Sequence, residues 1–164
     1  QLVDKACIQA LYLASIAGVR IRLQVRGICC LRPGVPGVSD NITVTSVVGR
    51  FLEHVRIFFF HNGGDEELLI GSADLMPRNL DRRIEILVPI RDPEIRKTIR
   101  DDILKIHLAD NAKSRRLLED GTYVRILPAK GEPVVDSQRI MMNRAAGYNP
   151  VRGEEEKRHE QLRF

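Results

Sequence analysis

GRFLEHVRIFFF (49–60), HNGGDEELL (61–69) and IGSADLMPRNLDRRIE (70–85) form the continuous run whose reading decides how this chain folds. Val55 to Phe60 and Glu67 to Gly71 read as two strands, because β-branched, aromatic and other apolar residues gather there between turn signals. Asn62, Gly63 and Gly64 lie between them and tolerate the left-handed backbone of a tight turn. The polar residues collect at the strand ends. His54 and Arg56 stand at the entrance of the first strand, while Ser72, Asp74, Arg78, Asn79, Asp81, Arg82 and Arg83 follow the second. If the two strands pair as a hairpin, the histidine and the Gly71-Ser72 pair emerge on one edge of the sheet.

Working outward, Asp4 is placed to cap a helix from Lys5 to Ala17, with Ile8, Leu11, Tyr12 and Ile16 at helical spacing and Gly18 as its stop. Val19, Ile21, Leu23 and Val25 then alternate with Arg20, Arg22, Gln24 and Arg26, the period of a strand buried on one face. Two Pro and two Gly after the cysteines make 28–41 a loop. Ile42 to Val44 reads as a brief strand, and Ser46 as the cap of a short helical turn through Leu52. On the far side, Arg83 to Pro89 reads as a strand closed by proline. Asp92-Pro93 starts a helix whose Ile95, Ile99, Ile103 and Ile106 repeat as far as about Leu108. Asn111 to Leu118 is expected as a turn or short helix, Thr122 to Leu127 as a strand, and Asp136 to about Ala146 as a further helix. Strands alternating with helices argue an α/β layer architecture with a mixed sheet.

With 164 residues, 29% charged and 43% hydrophobic, the chain has the composition of one soluble globular domain. No apolar run approaches the roughly 20 residues of a membrane span. The first residues lack a basic leader and a Met, which reads as the interior of a longer chain. Three cysteines, Cys7, Cys29 and Cys30, cannot all pair, and a reducing cytoplasm suits them. A net charge of +4 and a pI near 9.2, with many arginines, suit a polyanionic partner, and equally a merely soluble surface. Residues 1–148 are taken as the folded domain and 149–164 as a charged tail, mobile or a solvated helix.

His54 carries the most chemistry. An imidazole can attack phosphorus or protonate a leaving oxygen. A lone histidine at a strand entrance is more often packing than chemistry, but Arg56, Ser72 and the Arg78, Arg82, Arg83 group shift the balance. A phosphoryl transition state spreads charge over its oxygens, and arginines with a hydroxyl around a histidine can stabilise it. Asp81 and Glu85 stand close enough to pair with some of these arginines, so one of the three is expected in a site. His61, His107 and His159 read as structural or solvated, Asp101-Asp102 as helix surface with no third acid for a metal, and Cys29-Cys30 as part of a packed loop. The glycine-rich phosphate loops GxxxxGK and GxGxxG are absent.

Three strings in order, VRGICCLRPGVPG (25–37), VVGRFLEHVRIFFF (47–60) and IGSADLMPRNLDRRIEILVPI (70–90), resemble the last domain of the long bacterial polyphosphate kinases, whose two C-terminal domains share the phospholipase D architecture. The resemblance implies an α/β, phospholipase D-like domain with a mixed β-sheet flanked by helices. It implies reversible transfer of the terminal phosphate of ATP to inorganic polyphosphate through a phosphohistidine in a preceding domain. Arg26 and His54 match the family residues that contact the nucleotide's phosphates, with His54 the catalytic candidate here and Ser72, Arg78 and Arg83 as neighbours. The Mg2+ contacts are expected in preceding domains, with none in this segment. The implied partners are ATP or ADP, polyphosphate, the preceding domains and further copies of the full-length chain, without nucleic acid. The implied location is the cytoplasm, extending to a peripheral position at the membrane. Alone, the segment is expected to fold and to be catalytically silent.

Two departures from the phospholipase D pattern matter. The usual H-x-K is His54-Val55-Arg56, and the usual GSxN is Gly71 to Asp74, with Asn79 arriving later. Loss of the lysine argues against phosphodiester chemistry. Two alternatives stand beside the kinase reading: a phospholipase D-like phosphodiesterase or nuclease half-site, and a non-catalytic polyanion-binding module.

Overall fold

The computed structural model describes residues 1–147. The expected tail, with His159 in it, lies outside the described residues. Helix α1 (Lys5–Ile16) starts where Asp4 accepts the Cys7 N–H at 2.8 Å and stops at Gly18, whose φ of 88° a glycine adopts without strain. Seven strands follow: β1 (Ile21–Gln24), β2 (Ile42–Val47), β3 (Ile57–Phe60), β4 (Glu67–Gly71), β5 (Leu87–Pro89), β6 (Ser114–Leu117) and β7 (Tyr123–Arg125). They divide between two sheets. One is four-stranded in the order β1-β2-β6-β7, with β1 and β2 parallel and the rest antiparallel, so it is mixed; the other is the antiparallel β3-β4-β5.

The core lies on one face of the mixed sheet. Val25, Ile42, Val44 and Leu117 point there with Leu2 and Leu31, and α1 covers them with Cys7, Ile8, Leu11 and Tyr12. The alternation seen in β1 and β2 is this burial. No helical turn forms at 46–52: β2 continues through Val47, which is buried against Ser114, because pairing with β6 outweighs the local capping signal of Ser46. Residues expected on the apolar side of that turn, Val48, Phe51 and Leu52, are exposed. Of Asn111 to Leu118, Ser114 to Leu117 is likewise a strand instead of a helix, since β6 is held on both sides by β2 and β7. Of Arg83 to Pro89 only Leu87 to Pro89 pairs. The long helix after Asp92 forms as α3 (Pro93–Lys97), a π-helical stretch (Thr98–Leu104) and α4 (Lys105–Leu108). Arg100 in the wider stretch reaches Glu66 at 2.6 Å and Arg96 donates to the Glu66 carbonyl at 2.7 Å, tying the helix to the far end of the hairpin. Helix α5 (Ser137–Ala145) is capped by Asp136, as its sequence predicts.

Arg115 lies directly opposite Arg125 across β6 and β7. Like charges facing each other weaken a ladder by a few tenths to about 1 kcal/mol. Arg125→Glu is therefore expected to raise the unfolding free energy measured in urea by about 0.5–1 kcal/mol at low salt, with the gain shrinking as salt is added.

Candidate functional site

The hairpin forms as the sequence implies. Ile57 pairs with Ile70 and Phe60 with Glu67, and the turn holds Asn62, Gly63 and Gly64 at positive φ of 45°, 64° and 107°. The Gly71 N–H donates to the Arg56 carbonyl at 3.0 Å, so the start of β3 and the end of β4 share one edge. Gly71 must be glycine there, since a Cβ would stand 2.9 Å from the Ile86 carbonyl oxygen. His54 lies just before this edge. Arg26 reaches it from the end of β1 on the other sheet, with Nη1 3.2 Å from His54 Nε2.

Arg56 holds the other side of His54. Its Nη1 donates to the His54 carbonyl and lies 3.5 Å from Nδ1, while its Nη2 pairs with Asp74 Oδ1 at 3.2 Å. Asp74 is buried, which alone would raise its pKa, and the Arg56 guanidinium beside it acts in the opposite direction, favouring the carboxylate. Guanidinium groups only donate, whereas a neutral imidazole has one accepting and one donating nitrogen. One ring nitrogen therefore faces a cation it cannot accept from. With the ring proton on Nε2, an anionic oxygen bridging Arg26 and that nitrogen would accept from both.

Ser72 belongs to an adjoining cluster. Its Oγ donates to Glu85 Oε2 and accepts the Ile86 N–H at 3.0 Å; Asn79 Nδ2 donates to Glu85 Oε1 at 2.7 Å, and Arg83 Nε lies 3.7 Å from the same oxygen. The hydrogen bonds from Ser72 and Asn79 keep the Glu85 carboxyl below its usual pKa. Asn79 Oδ1 is buried without a partner. Of the three clustered arginines, Arg83 joins this group, while Arg78 and Arg82 are exposed on helix α2 (Pro77–Arg82). Arg56 and Asp74 are the residues whose role spacing alone undervalued: they hold His54, and the H-x-R spacing was the signal for the first of them.

Elsewhere, Asp101 pairs with Arg100 and Lys105, and Asp102 with Arg144, as surface ions. Among the described residues no three of His, Cys, Asp and Glu gather as a metal set. His61 is exposed in the hairpin turn, and His107 is half-buried in α4. Burial and the neighbouring Asp4 push the Cys7 thiol up to about 11, and burial raises Cys29, so both stay protonated as packing groups.

Residues 1–138 match the family described as polyphosphate kinase C-terminal domain 2. The chain belongs to this family. It is 57% identical over 144 residues to a polyphosphate kinase of Synechocystis sp., covering 88% of this chain and 20% of that one. A polyphosphate kinase of Rhodopirellula baltica is 53% identical over 151 residues, covering 89% of this chain and 18% of its own. The crystal structure of the polyphosphate kinase from Porphyromonas gingivalis superposes with a TM-score of 0.80 at 47% identity, covering 95% of this chain and 23% of that one. The chain thus spans about a fifth of the length of these relatives. It has the α/β, phospholipase D-like fold of the polyphosphate kinases.

Proposed function

We propose that this segment supplies the phosphate-holding edge of a polyphosphate kinase active site. The observation that carries the reading is the 3.2 Å approach of Arg26 and His54, side chains 28 residues apart brought together from the ends of different sheets. In this reading, Arg26 neutralises a phosphate oxygen of the nucleotide, and His54, its carbonyl and ring held by Arg56, donates from Nε2 to the same oxygen. The terminal phosphate of ATP passes reversibly to polyphosphate by way of a phosphohistidine in a preceding part of the full-length enzyme, leaving ADP. Copies of that enzyme are expected to associate. Mg2+ bound to ATP supplies charge neutralisation at the phosphates. Asp74 and Glu85 are engaged by Arg56, Ser72 and Asn79, and Glu53 by Gln138, so the residues present here do not fit a metal site. Ser72 and Arg83 act as neighbours through Glu85, and Arg78 as a solvated cation beyond it. The cytoplasm is the proposed compartment, including a peripheral position at the membrane; the unpaired Cys7, Cys29 and Cys30 support a reducing environment.

The test is a titration of the 164-residue chain with long-chain polyphosphate and with ATP at two salt concentrations, wild type beside Arg26→Ala and His54→Ala. Each variant is expected to bind roughly tenfold more weakly, the loss of one charge-assisted hydrogen bond. Binding that is unchanged in both variants places the affinity elsewhere on the basic surface and defeats the reading.

A further inference from the structure

Residues 48–56, which carry His54 from β2 to β3, belong to no strand and bury little. Phe51, Leu52 and Val55 are 49%, 68% and 59% exposed, so apolar packing does not fix their course. At its middle one side chain does. Gln138, on the first turn of α5 and itself 5% exposed, makes both bonds that a neighbouring strand would make to Phe51. Its Nε2 donates to the Phe51 carbonyl at 2.7 Å, and its Oε1 accepts the Phe51 N–H at 3.0 Å. The second Nε2 hydrogen goes to Glu53 Oε1 at 2.6 Å. Both donors of the amide are thereby used on the three residues preceding His54. Gly49 makes room for it: a Cβ there would lie 2.4 Å from Gln138 Oε1. Helix α5 is in turn anchored, since the Ser137 N–H and hydroxyl donate to the buried Asp110 at 2.8 and 2.7 Å.

We propose that Gln138 is a positioning residue for His54, holding the stretch that leads to it while Arg56 holds the residue itself, with Gly49 as its receptor, so that α5 helps set where the imidazole meets Arg26. The clamp stands on geometry alone; its consequence for phosphate binding rests on the function proposed above. Its loss leaves the Phe51 N–H and C=O unpaired and frees the stretch to move. The sequence marked α5 only as a helix, and no local pattern in it pointed to Gln138.

The experiment follows three signals in the isotopically labelled 164-residue chain: hydrogen exchange at the Phe51 amide, the nitrogen shifts of the His54 ring, and affinity for tripolyphosphate. In Gln138→Ala, Phe51 exchange is expected to quicken about tenfold or more and tripolyphosphate affinity to fall roughly tenfold, while the Val44 amide keeps its protection. The His54 ring shifts should move with or without ligand. Gln138→Glu keeps the acceptor for the Phe51 N–H and loses both donors, so it should preserve Phe51 protection and still shift the ring. Gly49→Ala should reproduce the loss in the wild-type background and add nothing to Gln138→Ala, because the clash is with the amide that has been removed. If Gln138→Ala does not fold, Gly49→Ala is read by the same signals. Unmoved ring shifts and undiminished affinity in a folded variant that has lost Phe51 protection would overturn the proposal and leave the phosphate reading intact. A wild-type chain that takes up no tripolyphosphate, but whose His54 ring moves on Gln138→Ala, upholds the clamp and defeats the phosphate reading.

Discussion

Replacing His54 by alanine in a full-length polyphosphate kinase carrying this segment is expected to lower kcat by about 10²–10³, the loss seen when one preorganised donor to a developing charge is removed. Arg26→Ala should fall in the same range. The two residues lie 3.2 Å apart and, in the proposed arrangement, share one phosphate oxygen, so the double variant should lose little beyond the worse single variant. Steady-state ATP-dependent polyphosphate synthesis measures this directly. Multiplication of the two single losses would show that the side chains serve separate steps, against the shared-oxygen arrangement. Arg26→Lys should recover only part of the activity, because an ammonium is a point charge and cannot fork between the ring and a phosphate.

The second large effect concerns stability. Asp110 is 3% exposed and its carboxylate accepts from the Ala112, Lys113 and Ser114 N–H groups at 3.1, 2.7 and 3.1 Å, in addition to both groups of Ser137. It joins the turn before β6 to the start of α5. Asp110→Ala leaves all of these donors unpaired, and a loss of roughly 3–5 kcal/mol is expected in urea unfolding. Asp110→Asn should cost less, since its carbonyl keeps the three loop amides while its NH2 group faces the Ser137 donors. Burial raises the Asp110 pKa, but the amides and the Ser137 hydroxyl outweigh it and hold the folded value low. A carboxyl depressed on folding contributes fully above its unfolded pKa of about 3.9 and loses that contribution as pH falls through the folded value. The wild type should therefore lose stability below about pH 4, and Asp110→Ala should show a flatter acid limb.

Much of the site could be read from the chain because its signals are local. Asp4, Gly18, Asp92 and Asp136 act where helix ends require them, and the Asn62 to Gly64 turn brings His54 and Gly71 to one edge. The resemblance placed Arg26 beside His54, and the structure brings them together. What escaped was settled by distant partners. In β6, Ser-Arg-Arg-Leu has no strand alternation to see, since Ser114 is buried by the Asp110 turn and Leu117 by the core on opposite faces. Val47 left the expected helical turn because β6 was there to pair with it. Asp74 reads as a substitution in GSxN, and only the fold shows it anchoring Arg56. Gln138 lies 84 positions from His54, beyond the reach of any motif.

The contact between Arg26 and His54 has a mechanical meaning. Arg26 is fixed to the end of the mixed sheet, whereas His54 rides on the covalent strap that leads to the three-stranded sheet. Within each sheet, strands are laced by several backbone bonds; between the sheets, this pair of side chains works alongside the backbone bridge from Leu75 to Leu2. Sliding of one sheet against the other changes the separation of these two side chains, so the contact works as a strain gauge. A phosphate lodged in it stitches the two sheets together, and an occupied edge should stiffen the whole segment.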